Sequence, residues 1–230
     1  MKEAIILAGG LGTRLRSVVS DLPKCMADVA GRPFLAYVLD HLQQQGIERF
    51  IFALGYKSEA FTEFIDARLS KDNYALSIED EPLGTGGAIK LACTQAKQKT
   101  VLVANGDTLF KVDTSYLIHF HDMCAAHCTL SLKRMVDFDR YGVVHLNKDY
   151  SIRSFEEKQF YKQGFINGGV YALHAEKFLQ EELPQKFSFE KDYLEQLYTK
   201  RRMYGVVQDA YFIDIGIPED YARAQDQLAN

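Results

Sequence analysis

Cysteine is scarce in this chain: Cys25, Cys93, Cys124 and Cys128 are the only four, and none forms a CxxC pair. So few thiols cannot staple a disulfide scaffold, and they suit a reducing compartment. A cationic surplus is missing as well. Lys and Arg number 27 against 31 Asp and Glu, a net charge of −4, so there is no general electrostatic pull toward nucleic acid. Long hydrophobic runs are also lacking. The apolar stretch from Ala4 to Ala8 stops at Gly9-Gly10, too short for a signal-peptide core or a membrane span, and the expected setting is the cytoplasm with no membrane partner. Proline numbers only 5, and no low-complexity tract, repeat or Pro/Gly-rich linker marks a boundary, so residues 1–230 read as one domain.

What is present is an ordinary globular composition, 47% hydrophobic and 25% charged. The run 4–7, apolar throughout and ending in glycines, predicts a strand buried on both faces. Phe34, Leu35, Val38, Leu39 and Leu42 recur at helical spacing between Pro33, suited to a first turn, and Gly46, suited to a stop. The alternation continues with strands at 49–54, 74–78 and 100–104 and helices at 59–69 and 86–95. From 128 onward it is more mixed, with strand-like runs at 129–133, 142–146, 169–173 and 211–215 and helices near 190–199 and 219–228. The expected fold is α/β, a Rossmann-like three-layer sandwich with a mixed, mainly parallel central sheet that takes in antiparallel strands in the second half. A ligand crevice is then expected at the carboxyl ends of the strands.

His119, His121, Cys124, His127 and Cys128 crowd one stretch, and Cys124 and Cys128, four apart, could share a helix face as metal ligands. A plain amphipathic helix over 116–125 is the simpler reading.

The strongest motif is Leu7-Ala8-Gly9-Gly10-Leu11-Gly12-Thr13-Arg14-Leu15, a strand followed by a glycine loop and an arginine. Glycines let backbone N–H groups approach an anion closely, and Arg14 adds a planar fork of donors, so the loop is suited to phosphate. Two familiar glycine loops do not fit. A GxGxxG beginning at Gly10 would need glycine in place of Leu15, and no Gly-Lys-Ser/Thr follows. Asp107 follows the apolar strand Val101 to Ala104, and Asp214 lies inside the apolar run Tyr211 to Ile215. An acid between apolar neighbours on a strand is costly without a partner.

This loop, with Pro23-Lys24 at short range, resembles the signature of the sugar-1-phosphate nucleotidyltransferases. Further segments resemble that family in the same order: Glu81-Pro82-Leu83-Gly84-Thr85-Gly86-Gly87-Ala88, Asn105-Gly106-Asp107, Tyr141-Gly142, Glu157-Lys158, Asn167-Gly168-Gly169 and Asp214-Ile215-Gly216. The resemblance implies an enzyme that joins an NTP to a sugar 1-phosphate and releases pyrophosphate, with a nucleotide-binding half over about 1–127 and a sugar-binding half over about 128–230. It implies catalytic roles for Arg14, Lys24 and Asp107. Nucleotide contacts are implied at Leu7, Ala8, Gly9, Gly10, Gly12, Thr13, Arg14, Glu81, Pro82, Gly86 and Asp107. Sugar phosphate contacts are implied at Lys24, Tyr141, Gly142, Glu157, Lys158, Asn167, Gly168 and Asp214. The implied cofactor is Mg2+ on Asp107 and Asp214, a choice that agrees with the ion's preference for carboxylate, water and phosphate oxygens.

Within the family, Arg16-Ser17-Val18-Val19 departs from the stretch common in hexose enzymes. Together with Gly31-Arg32-Pro33-Phe34-Leu35 and Phe187-Ser188-Phe189-Glu190-Lys191-Asp192, it is most similar to the branch that guanylylates D-glycero-α-D-manno-heptose 1-phosphate. The residues do not fix the base by physics, so UTP or dTTP, mannose or another hexose 1-phosphate, and a non-catalytic sensor stay open here. A monomer and a homo-oligomer are equally compatible with the sequence.

Overall fold

The computed structural model describes residues 1–9, 23–55 and 59–229. The first half contains β1 (Lys2–Leu7), the small hairpin β2 (Asp28–Val29) with β3 (Arg32–Pro33), α1 (Phe34–Gln44), β4 (Ile47–Leu54), α2 (Glu59–Asp66), β5 (Tyr74–Ile78), α3 (Gly84–Cys93), β6 (Thr100–Asn105), β7 (Thr108–Phe110) and α4 (Thr114–Met123). The second half adds β8 (Cys128–Phe138), β9 (Val143–Leu146), β10 (Ile152–Glu156), β11 (Tyr161–His174), α5 (Ala175–Leu179), α6 (Glu195–Leu197), β12 (Met203–Val207), β13 (Phe212–Asp214) and α7 (Pro218–Gln227).

Seven strands form one sheet in the order β12-β8-β11-β6-β1-β4-β5. β1 lies parallel to β4 and β6, β4 to β5, and β12 to β8, while β11 is antiparallel to both its neighbours, β6 and β8. The sheet is therefore mixed and mainly parallel, with β11 alone reversed. The further antiparallel pairing expected for the second half falls outside this sheet, in the pairs β9–β10 and β7–β13. Alternation along the strands builds two cores. Ile6, Phe52 and Leu102 face α1, α2, α4 and α7, whereas Ile5, Ile51 and Val103 face α3, α5 and the segment around Phe189.

Local chemistry explains most boundaries. α1 starts after Pro33, buries Phe34, Leu35, Val38, Leu39 and Leu42, and ends before Gly46, whose φ of +81° suits glycine. α2 is shorter than expected and stops at Asp66. Leu69 keeps its place in the core through a turn, its N–H donating to Ile65 O at 2.9 Å, so the apolar spacing outlasts the helix. β11 is much longer than 169–173. Its first part is a polar ribbon against β8, with Lys162 and Gln163 exposed, and a register shift between Asn167 and Tyr171 separates it from the buried part. The expected helix over 190–199 instead opens as a π-helical turn, Phe189–Leu194, that runs into α6.

Cys124 and Cys128 do not share a helix face. α4 ends at Met123 and Cys128 opens β8, where it is fully buried. His119 is exposed, and the buried His121 places Nδ1 3.0 Å from Thr129 Oγ1. Among the described residues, no group of three or more His, Cys, Asp or Glu side chains is arranged to hold a metal ion.

Candidate active site

β1, β4 and β6 end side by side, and their loops pack backbone against backbone. Ala8 N donates to Ala53 O at 3.0 Å and Gly106 N to Leu7 O at 2.9 Å. A Cβ on Gly9 would lie 2.7 Å from Gly55 N, which leaves room only for glycine and fixes the first residue of the phosphate-type loop. Leu7 is half-buried, Ala8 buried and Gly9 exposed at this edge. Gly10, Gly12, Thr13 and Arg14 lie outside the described residues.

Asp107 follows directly from this edge. β7 then turns back and pairs with β13, setting Asp214 opposite Thr108, and Ile215 N donates to Asp107 O at 3.1 Å. Two acids far apart in sequence thus converge. Lys24 meets them from the turn Lys24–Met26 after Pro23: its Nζ lies 2.6 Å from Asp107 Oδ2 and 3.5 Å from Asp214 Oδ1. Gly216 N donates to Asp214 Oδ1 at 2.7 Å, and Tyr141 OH donates to Asp214 Oδ2 at 3.5 Å. The side chains of Lys24, Asp107 and Asp214 are 11%, 34% and 23% exposed, so the cluster is sheltered yet reachable from solvent.

Burial, then the nearby charge of Asp107, push the Asp214 carboxyl above its ordinary range, and the Lys24 ammonium opposes them. Tyr141 is pushed up by burial and by Asp214. It keeps its proton and acts as a donor. One ammonium against two carboxylates leaves the cluster a net acceptor of cations, and hard oxygens are the donor set that suits Mg2+. The second oxygens are weakly engaged: Thr108 Oγ1 stands 3.3 Å from Asp107 Oδ1, and Asp214 Oδ2 has the long Tyr141 contact.

Tyr141, Gly142, Glu157, Lys158, Asn167 and Gly168, expected to contact the sugar phosphate, lie in the second half. Asn167 is oriented on both sides of its amide, with Oδ1 accepting from Gly169 N at 3.1 Å and Nδ2 donating to Tyr171 OH at 2.8 Å. Gly168 is buried against Phe110, and Gly142 packs on the Glu156 carbonyl. Glu157 and Lys158 are exposed after β10, with Lys191 Nζ 2.8 Å from Glu157 Oε1.

Glu81 and Pro82 are exposed ahead of α3, but Gly86 is buried. A Cβ there would fall 2.2 Å from the Phe187 ring, so packing alone accounts for glycine at this position. Sequence reasoning did not anticipate Arg140. This side chain hydrogen-bonds the buried Asp220, which Arg223 also holds at 2.7 Å, and its guanidinium lies 5.5 Å from the Tyr141 ring centroid. The acid in Pro218-Glu219-Asp220-Tyr221 was the available signal, since a carboxylate in the first turn of a packed helix calls for a partner.

Lys24 thus stands between two acids at the carboxyl edge of a mainly parallel sheet, the edge at which open α/β sheets take their ligands. The family model described as nucleotidyl transferase matches residues 3–230, and the chain belongs to that family. Among its relatives, the D-glycero-alpha-D-manno-heptose 1-phosphate guanylyltransferase of Aneurinibacillus thermoaerophilus is 48% identical over 226 residues, covering 98% of each chain. The protein of the same name from Campylobacter jejuni is 46% identical over 220 residues, 95% of this chain and 96% of its own. The crystal structure of HddC from Yersinia pseudotuberculosis complexed with GMP-PN superposes with a TM-score of 0.87 at 38% identity, covering 99% of this chain and 100% of that one.

Proposed function

We propose that this enzyme transfers GMP from GTP to D-glycero-α-D-manno-heptose 1-phosphate, giving GDP-heptose and pyrophosphate. A phosphate oxygen of the sugar attacks the α-phosphorus in line, a bond to that phosphorus forms, and the bond to the bridging oxygen of pyrophosphate breaks with its electron pair leaving on pyrophosphate. No covalent enzyme intermediate is needed. The work left to the protein is to align two polyanions and to offset charge as it moves.

The observation that carries this reading is the Lys24 ammonium between Asp107 and Asp214 at the strand ends. Lys24 is held within the crevice while retaining donor capacity for the two phosphates that must approach each other. Asp107 and Asp214 would hold Mg2+ through their weakly engaged oxygens. When bound, the ion supplies charge neutralisation at phosphate oxygens. Arg14 belongs to the departing pyrophosphate, and the loop from Leu7 through Thr13 to the remaining phosphates. Glu81, Pro82 and Gly86 form the base and ribose side. Tyr141, Gly142, Asn167, Gly168 and Glu157 provide the donors and acceptors that sugar hydroxyls require, with Lys158 on the sugar phosphate. In this division residues 1–127 carry the nucleotide and 128–230 the sugar. Both halves share one sheet, so the reacting groups meet across β6 and β11.

The choice of GTP and heptose is supported by the likeness to the two heptose 1-phosphate guanylyltransferases across nearly their full lengths. The setting proposed is the cytoplasm. No helix among the described residues is long and apolar enough to cross a membrane. The test is a grid of GTP, ATP, UTP and dTTP against mannose, glucose, N-acetylhexosamine and heptose 1-phosphates, scored by pyrophosphate release. GTP with the heptose is expected to give the highest kcat/KM, and a clear preference for another pair would overturn the assignment.

A further inference from the structure

The nucleotide stretch and the sugar loop are joined by a segment that has no task in the mechanism above. Residues 185–192 run along the start of α3. Gly86 N donates to Phe187 O and Phe187 N to Leu83 O, both at 3.0 Å. Thr85 Oγ1 accepts from Phe189 N at 2.9 Å and donates to Glu190 Oε2 at 3.0 Å. Ser188 Oγ donates to the same carboxylate oxygen at 3.2 Å and accepts from Lys191 N at 3.1 Å, while Ser188 N donates to Asp192 Oδ2 at 2.7 Å. These bonds fix the π-helical turn Phe189–Leu194, a form that recurs at functional sites. From that turn Lys191 Nζ reaches Glu157 Oε1 at 2.8 Å.

The Lys191 and Glu157 side chains are 61% and 80% exposed, and an ion pair that open adds little to the stability of a fold. Its backbone support is far more elaborate than a solvent-facing pair requires. Left alone, Glu157 would sample many rotamers, and ordering it on each encounter would weaken binding by up to roughly tenfold. The Glu157 carboxyl, which the Lys191 hydrogen bond holds below the usual range, is ionised at neutral pH like an ordinary carboxylate and accepts hydrogen bonds from hydroxyls.

We propose that Lys191 is a positioning residue that holds Glu157 toward the incoming sugar 1-phosphate, in a register set by the contacts of its turn with Thr85 and the start of α3. This inference rests on the sugar-side reading of Glu157 given above. The test is steady-state kinetics on Lys191→Met, Lys191→Arg, Glu157→Gln and the double variant Lys191→Met/Glu157→Gln, with the sugar 1-phosphate that the wild type uses best. Lys191→Met is expected to raise KM for the sugar phosphate roughly tenfold, with kcat, KM for the NTP and Tm nearly unchanged. Lys191→Arg should restore most of the loss. In the Glu157→Gln background, Lys191→Met should add nothing, because it acts through that carboxylate.

An unchanged KM, an equal rise in both KM values, or full additivity of the two substitutions would overturn the inference while leaving the proposed function standing. A wild type that releases no pyrophosphate with any sugar 1-phosphate would overturn the function and this inference with it.

Discussion

The two ends of the central sheet each carry a cluster of opposite charges, and they are built in contrasting ways. At the amino end, Arg49 hydrogen-bonds the Glu3 carboxylate, whose other oxygen accepts from Lys97 N at 2.8 Å and Gln98 N at 2.7 Å. Arg49 also donates to Gln95 O at 3.1 Å, and the Glu3 and Arg49 side chains are 0% and 7% exposed. That cluster is closed: both Glu3 carboxylate oxygens are matched, and both charged side chains are buried. At the carboxyl end, Lys24 faces two acids with long secondary contacts, partial exposure and a surplus of negative charge. The closed centre fastens β1 and β4 to the segment after α3, whereas the open one leaves carboxylate oxygens with spare acceptor capacity.

The contrast can be broken first at the closed end. Glu3→Gln leaves Arg49 buried without its counter-charge, and an expected loss of about 3–5 kcal/mol follows. For a chain of this length that corresponds to a fall in Tm of roughly 10 °C, measured by calorimetry. Pyrophosphate release at 25 °C should be unaffected. A variant with wild-type Tm but reduced turnover would reverse the roles assigned to the two ends.

A smaller effect sharpens the same comparison through pH. Burial lowers the His121 pKa from 6.5 to about 4, and Nδ1 sits at Thr129 Oγ1 on β8. A histidine kept neutral in the fold but free to charge in the unfolded chain contributes stability that is complete above pH 6.5. That stability is lost as pH falls toward 4. About 2 kcal/mol should be gone by pH 5 from this group, as read by urea unfolding. His121→Gln should flatten that part of the profile, and an unchanged slope would show that another group titrates there.

Most of the sheet was legible in the sequence because apolar runs and helical spacing report burial directly. The strand at 4–7, the helix after Pro33 and the strand at 74–78 stand where their patterns put them. The parts that were not legible have a common cause. The first half of β11 is a partly polar ribbon held by backbone pairing, and β12 is an apolar run of five residues interrupted by Gly205, so neither leaves a clear hydrophobic signature. The convergence of Asp107 and Asp214 was expected from resemblance, but the pairing that achieves it joins β13, announced by the run 211–215, to β7, a three-residue run too short to announce itself. Nor could the sequence separate Gly86 as a ligand contact from Gly86 as a packing necessity beside Phe187. The position of that ring is a long-range fact. Lys191 escaped for the same reason, since its partner Glu157 comes from a distant loop.

The measurement that bears most directly on the open cluster is turnover and Tm of Asp107→Asn, taken together. If Asp107 serves the reaction rather than the fold, kcat should fall by roughly 10³-fold. Removing one of two neighbouring carboxylate charges should leave Tm at or above the wild-type value. Near-normal kcat, or a loss of activity that tracks a lowered Tm, would contradict the account.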